Sequence, residues 1–117
     1  REDSLEIGAY VKNGSQYVYI DLFLLYSNET TAWMAGLDWT TKEKYIWTYP
    51  RVTKLCTGAL YNRLFYVPCN FKDILQVEYG NWTKEVMSSK FAWNKSHKNI
   101  AHFGNFTEEE TVDMREN

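Results

Sequence analysis

The 117-residue sequence lacks the features that mark several large classes of protein. It has no apolar run of the 18 or more residues that a membrane-spanning helix needs. Its formal net charge is only −2, so no overall basic field points to nucleic acid as a partner. Its two cysteines are not in the C-x-x-C spacing of a redox motif. It contains no repeat and no low-complexity segment, and its length predicts a single domain.

Motifs of the common enzyme classes are also absent. There is no G-x-S-x-G, H-E-x-x-H or G-x-G-x-x-G sequence and no glycine loop for phosphate. His97 and His102 are the only histidines, and without a third ligand nearby they indicate solvated loop residues, not a metal site. Asp21 has no partner acid for glycosidase chemistry. We expect a non-enzymatic protein without cofactor. A secreted hydrolase would need one of the histidines bonded to both a hydroxyl and an acid.

The sequence is instead rich in N-glycosylation sequons, in which Asn is followed two residues later by Ser or Thr. From nine asparagines, roughly one such sequon is expected by chance. This excess predicts an extracellular or lumenal glycoprotein, secreted or the ectodomain of a type I membrane protein. Because no signal peptide opens the sequence, we expect any signal or anchor to lie outside it. The sequon asparagines are Asn13, Asn28, Asn81, Asn94 and Asn105.

A local disulfide is predicted from the spacing of the two cysteines. The segments Val52–Leu60 and Leu64–Cys69 alternate as an antiparallel pair. If the hairpin loop is Asn62-Arg63, the two strands place Cys56 directly opposite Cys69. Opposed cysteines on neighbouring strands are close enough to form a disulfide, and secreted proteins retain such bonds.

Period-two alternation of apolar residues predicts about seven strands. We expect an antiparallel all-β sandwich, resembling an immunoglobulin domain without its inter-sheet disulfide, over residues 1–104. The acidic segment 105–117 is expected to be a flexible tail. The alternative is a small lipocalin-like barrel that carries a small molecule. The runs Tyr17–Tyr26 and Ala32–Trp39 are predicted to pair at the centre of the sheet, the first chiefly in the core. Further predicted strands cover Leu5–Val11, Lys44–Tyr49 and Phe71–Tyr79.

An aromatic surface without glycan is the main indication of function. No sequon lies between residues 31 and 80, although this interval is dense in Trp and Tyr. Aromatic and arginine side chains dominate the energetics of protein interfaces. We therefore predict a sheet face that binds another protein. Its candidate residues are Trp39, Lys42, Tyr45, Trp47, Tyr49 and Arg51.

The combination of five sequons, one local disulfide and no distant cysteine pair resembles a particular group of ectodomains. These are the immunoglobulin-like ectodomains of viral immune-evasion glycoproteins of cytomegalovirus type. The resemblance lies in overall character over the whole chain and in no single motif. It implies binding to a host surface protein, either MHC class I or a related cell-surface receptor, and no residue roles are carried over.

Overall fold

The computed structural model describes residues 6–110, which include eight strands, two short α-helices and three further helical residues at 108–110. Residues 1–5, which include Leu5 of the first predicted strand, and residues 111–117 of the predicted acidic tail lie outside the described residues. The strands are β1 (Glu6–Asn13), β2 (Gln16–Phe23), β3 (Tyr26–Ser27), β4 (Thr31–Asp38), β5 (Glu43–Pro50), β6 (Leu55–Leu60), β7 (Arg63–Pro68) and β8 (Ile100–Asn105). The helices are α1 (Phe71–Tyr79) and α2 (Trp93–Ser96), with a single 3-10 turn at Ser88–Lys90.

The strands form three open, mostly antiparallel sheets, and the fold is all-β and sandwich-like as predicted. The strand order is β1–β2 in the first sheet, β3–β4–β5–β8 in the second and β6–β7 in the third. Within residues 6–110 no sheet closes on itself, so the lipocalin-like alternative is wrong. The predicted pairing of the Tyr17–Tyr26 run with the Ala32–Trp39 run is also wrong, because β2 and β4 belong to different sheets.

The β1–β2 hairpin is an exposed ribbon and not the core that its aliphatic pattern predicts. The register runs from Glu6 opposite Phe23 to Asn13 opposite Gln16, with a two-residue turn that contains Gly14 at φ 62°. Positive φ at the first turn residue alone, with Gly in that position, is typical of the type II′ turns that close such hairpins. Every residue of β2 is exposed. Alternation therefore located the strand correctly but assigned its aliphatic side to the wrong environment.

The β6–β7 hairpin carries the predicted Cys56–Cys69 disulfide, which is confirmed, although in a shifted register. Its turn is formed by Tyr61 and Asn62, both with positive φ, one residue earlier than predicted. Cys56 therefore lies opposite Val67, and Cys69 follows the end of β7. The two Cα atoms are nevertheless 4.9 Å apart, within the usual range for a disulfide.

The segment Phe71–Tyr79 is helix α1, so its prediction as a half-buried strand is wrong. Its apolar residues fit both periods, but Ile74 and Leu75 are half-buried together, as expected for neighbours on one helical face. Asn70 accepts the first backbone hydrogen bonds of the helix, and Asp73 is in its first turn, where an acid favours helix. Gly80 ends the helix at φ 70°.

The chain divides into two compact units. Among the described residues, the first unit consists of 6–26, 34–47 and 101–110, and the second of 27–33 and 48–100. Strands β3, β4, β5 and β8 each contribute residues to both units.

The first unit has a small aromatic core. Trp47 is 4% exposed, and its ring covers Gly36, where a Cβ atom would lie 2.8 Å from Cζ3 of the indole. Phe106 is also 4% exposed and packs edge-on against Trp39 at 5.4 Å between ring centroids. Phe106 belongs to the segment predicted as a flexible tail, so the predicted boundary at residue 104 does not mark the end of packing.

Candidate functional site

The structure buries half of the predicted aromatic binding face. Tyr45, Trp47 and Tyr49 lie on one side of β5, as alternation predicted, but they are 9%, 4% and 7% exposed. A partner molecule has no access to these three rings, so their assignment to an exposed binding face is wrong. Alternation identifies which residues share a side, and here the shared side is the core.

The other three candidates are divided between the two units. Trp39 is 47% exposed and lies on Phe106, and the ammonium of Lys42 lies 5.2 Å from the centroid of the same ring. Arg51, in the second unit, donates from Nη1 to the backbone carbonyl of Glu29 at 3.2 Å. Trp39 and Lys42 thus stabilise the aromatic core of the first unit, whereas Arg51 holds the turn before β4.

The sequons fall into different local structures. The asparagine is exposed in four of them, at Asn13, Asn28, Asn81 and Asn105. Asn94 is half-buried within α2.

Two sequons have the asparagine carbonyl engaged by the hydroxyl two residues later. The hydroxyl of Thr30 donates to Oδ1 of Asn28 at 3.2 Å, and that of Thr83 donates to Oδ1 of Asn81 at 2.7 Å. The amide nitrogen, which would carry the glycan, takes no part in these bonds.

A largely buried polar cluster in the second unit was not predicted. Oε1 of Glu78, on α1, lies 3.3 Å from Nε2 of His97, and the two side chains are only 14% and 11% exposed. The prediction that His97 is a solvated loop residue is therefore wrong. The aromatic rings of Tyr79 and Phe91 pack on the imidazole at 5.3 and 5.2 Å between centroids. The pair is attractive when the imidazole is protonated.

Two tyrosines share the environment of Glu78. Burial raises the pKa of Tyr79 to about 12, and the negative charge of Glu78 adds to the shift. Burial, followed by the charge of Glu78, also raises the pKa of Tyr49 well above its ordinary value. Both phenols thus keep their protons at neutral pH and can donate hydrogen bonds to the carboxylate. The cluster therefore presents a buried acid with neutral donors and an imidazole around it.

An open pocket of about 570 Å³ lies beside this cluster, in the same unit. It is bounded by the end of α1, by the loop that follows and by α2. Its lining includes three ammonium groups and one carboxylate, together with aromatic and aliphatic surface. The charged residues in the lining are Lys84, Glu85, Lys95 and Lys98, and the aromatic residues are Tyr79, Trp82 and Phe91.

Within residues 6–110 no cluster of three His, Cys, Asp or Glu side chains could hold a metal ion. His102, the second histidine, contacts Asn105 through Nε2 at 3.1 Å and lies 4.0 Å from Glu43. It is half exposed and belongs to the first unit, whereas His97 belongs to the second. In the described part of the chain no helix has the length and apolar character to cross a membrane.

Comparisons with known proteins give relatives in animals. The chain is 34% identical over 116 residues to one uncharacterized protein of Caenorhabditis elegans, covering 92% of the chain and 29% of that protein. A second uncharacterized protein of C. elegans is 35% identical over 104 residues, covering 84% of the chain and 27% of that protein. The mouse protein ribitol-5-phosphate transferase FKTN is 29% identical over 99 residues, covering 85% of the chain and 20% of FKTN.

The chain thus spans less than a third of the length of each of these relatives. No family model matches the chain. No solved structure matches it.

Proposed function

We propose that this chain is part of a longer protein of the secretory pathway that transfers a phosphorylated polyol to a glycan. The observation that carries the proposal is the likeness to ribitol-5-phosphate transferase over 85% of the chain. This differs from the non-enzymatic function expected from motifs. Group transfer from a phosphorylated donor depends mainly on positioning and charge, so the absence of a short nucleophile motif does not argue against it.

The polar chemistry of the second unit supports this proposal. A transferase that handles a phosphate ester needs positive charge for the phosphate and a proton acceptor for an attacking hydroxyl. Lys84, Lys95 and Lys98 supply the first in the open pocket. The Glu78–His97 pair, adjoining that pocket through Tyr79, offers acid–base groups for the second.

The proposed compartment rests on two features of the chain. The Cys56–Cys69 disulfide is typical of proteins that fold in an oxidising compartment. The five sequons would be used only in the secretory pathway. Mass spectrometry of the protein from a secretory host, before and after removal of N-glycans, tests this. An unmodified protein would contradict the proposed location.

A transfer assay tests the proposed activity. The full-length protein that contains this chain is incubated with a glycan acceptor and a phosphoanhydride of ribitol 5-phosphate. An acceptor hydroxyl would give its proton to a base and attack the ribitol phosphorus, and the anhydride bond would break so that the second phosphate group leaves. Mass spectrometry detects the added phosphoribitol. We expect transfer by the wild-type protein and at least about tenfold less by His97→Ala, the size typical of losing an acid–base group. Glu109→Gln, at an exposed acid outside the pocket, should keep full activity. A folded wild-type protein that transfers none overturns the proposal.

A second candidate function, protein binding, is favoured by the exposed β1–β2 ribbon. Tyr10 and Tyr17 are 71% and 66% exposed on it, and such rings are common anchors at interfaces. Tyr10→Ser with Tyr17→Ser should then weaken capture of a cell-surface partner, whereas Tyr61→Ser, on the separate β6–β7 hairpin, should not. If both variants captured the partner equally well, the β1–β2 ribbon would be excluded as the binding surface. A viral origin and MHC class I as the partner stay predictions.

A further inference from the structure

We infer that the open pocket beside α1 binds the phosphate group of a polyol phosphate through Lys84, Lys95 and Lys98. Three separate segments bring these lysines to one pocket. Lys84 belongs to the loop after α1, Lys95 to α2, and Lys98 to the segment before β8. The pocket lining therefore carries three positive charges against one negative charge, and an anion bound there would be attracted to it.

The ammonium groups are available to a ligand. Within residues 6–110, none of the three lysines takes part in an ion pair, whereas Lys44 pairs with Glu110 at 2.9 Å. Their side chains are exposed, so a bound phosphate would not need to displace a protein carboxylate. Ammonium–phosphate hydrogen bonds are charge-assisted and are among the stronger polar contacts in proteins. An anion is therefore the ligand that this lining favours.

The position of Lys98 is fixed by the backbone. Its N–H donates to the carbonyl of Glu78, in the last turn of α1, at 2.7 Å. The side chain runs past Gly80, and its Cε lies 3.5 Å from where a Cβ atom on that glycine would be. Lys98 thus follows the end of the helix into the pocket, directly beside the Glu78–His97 pair.

The remaining lining suits the carbon chain of a polyol. Tyr79 and Phe91 lie 6.4 Å apart between ring centroids, and Trp82 is 38% exposed. Small-molecule sites typically combine such apolar and aromatic surface with a few polar groups that fix orientation. A short phosphorylated polyol has both parts, an anionic end for the lysines and a carbon chain for the rings. The choice of a polyol phosphate rests on the proposed transferase function, whereas the anion site does not.

Calorimetric titration of the full-length protein tests the inference, with ribitol 5-phosphate, ribitol and inorganic phosphate as separate ligands. We expect ribitol 5-phosphate to bind and ribitol to bind at least about tenfold more weakly, since it lacks the charge. Inorganic phosphate should bind with intermediate affinity and compete. Added salt should weaken the binding of both phosphate-containing ligands, because it screens their attraction to the lysines. Equal affinity for ribitol and ribitol 5-phosphate, or no binding of either phosphate, would overturn the inference.

Charge variants locate the site. The double variant Lys84→Gln with Lys95→Gln should bind ribitol 5-phosphate about tenfold or more weakly. The matched control, Lys54→Gln with Lys72→Gln, removes two exposed lysines that do not line the pocket and should bind like the wild type. Circular dichroism checks that both variants are folded. An equal loss in both, or in neither, would place the anion elsewhere and overturn the inference.

The experiments distinguish failure of the proposed transferase function from failure of the proposed phosphate pocket. Phosphate-dependent binding that Lys84→Gln with Lys95→Gln weakens, in a protein without transfer activity, supports the pocket and contradicts the transferase. Transfer activity that the same variant leaves unchanged supports the transferase and contradicts the pocket.

Discussion

Oε1 of Glu78 lies 3.3 Å from Nε2 of His97, and this contact joins α1 to the segment after α2. Both side chains are largely buried, so removing one leaves a polar partner without its counterpart. We expect Glu78→Ala to lower the free energy of unfolding by about 2 kcal/mol. Urea denaturation followed by tryptophan fluorescence measures the change.

The control for this prediction is the other histidine. The side chain of His102 is 51% exposed, and its replacement by Ala should change stability by less than about 0.5 kcal/mol. Equal losses from Glu78→Ala and His102→Ala would mean that the buried pair does not stabilise the fold.

Gly36 has no space for a side chain. A Cβ atom there would lie 2.8 Å from Cζ3 of Trp47, whose ring is buried and cannot move into solvent. We expect Gly36→Ala to lower the thermal midpoint, with a destabilisation of about 1–3 kcal/mol from overpacking. Gly58→Ala is the matched control in another strand. A Cβ atom at Gly58 would lie 3.3 Å from its nearest neighbour, on Val67, so this variant should lower the thermal midpoint less.

A double variant separates the clash from other effects of Ala at this position. Gly36→Ala combined with Trp47→Phe should cost less than the sum of the two single changes, because the smaller ring leaves room for the methyl group. Strict additivity, measured by the same thermal melts, would show that the two residues are not coupled.

The disulfide between Cys56 and Cys69 closes a local loop with a sequence separation of 13 residues. In the chain-entropy account, a loop of this size contributes about 3 kcal/mol of stability. Replacing both cysteines by Ser should therefore lower the free energy of unfolding by about that amount in denaturant titrations. Peptide mapping without reductant checks the bond itself. Two thiols that react with an alkylating reagent in the unreduced protein would contradict it.

Glu110 gives stability a specific dependence on pH. The backbone N–H of Thr107 and then the ammonium of Lys44 hold the pKa of Glu110 below its ordinary 4.5. The unfolded chain therefore takes up this proton first as pH falls. The stabilisation is present above pH 4.5 and is lost as pH drops through the lowered pKa of the folded state.

The variant Glu110→Gln isolates this contribution. It should be less stable than the wild type at neutral pH, and the difference should shrink as the solution is acidified below pH 4.5. Glu109→Gln, at an exposed neighbouring acid, is the matched variant for comparison. Denaturant titrations at a series of pH values measure both. A difference that stays constant with pH would contradict the assignment.

Strands were the part of the fold that could be predicted from the sequence. Alternation over Lys44–Tyr49 and over the two cysteine-bearing segments located β5, β6 and β7. It could not show which side of a strand is buried, because that depends on which other elements cover it. The aromatic side of β5 is covered, whereas the aliphatic side of β2 is not.

Helix α1 was not predicted because the apolar residues in a segment of only nine residues fit both the helical period of 3.6 and the strand period of 2. The signals that bound it, Asn70 before the helix and Gly80 after it, were more informative than the alternation of Leu75 and Val77. The Glu78–His97 contact lay beyond sequence reasoning for a different reason. It depends on helix α1, which the alternation predicted as a strand. It also depends on the chain passing back beside that helix 19 residues after Glu78, and no local sequence pattern encodes a contact over that separation.

The β6–β7 hairpin has a covalent consequence beyond its stability. Tyr61 at its tip is 92% exposed, and exposed loop tips are common sites of proteolytic cleavage. A single cut between Cys56 and Cys69 would leave two polypeptide fragments joined through sulfur. Electrophoresis without reductant would show one band of unchanged mass, and only reduction would reveal the nick. The tether would also keep the two fragments at high effective concentration, so that they can remain assembled after cleavage.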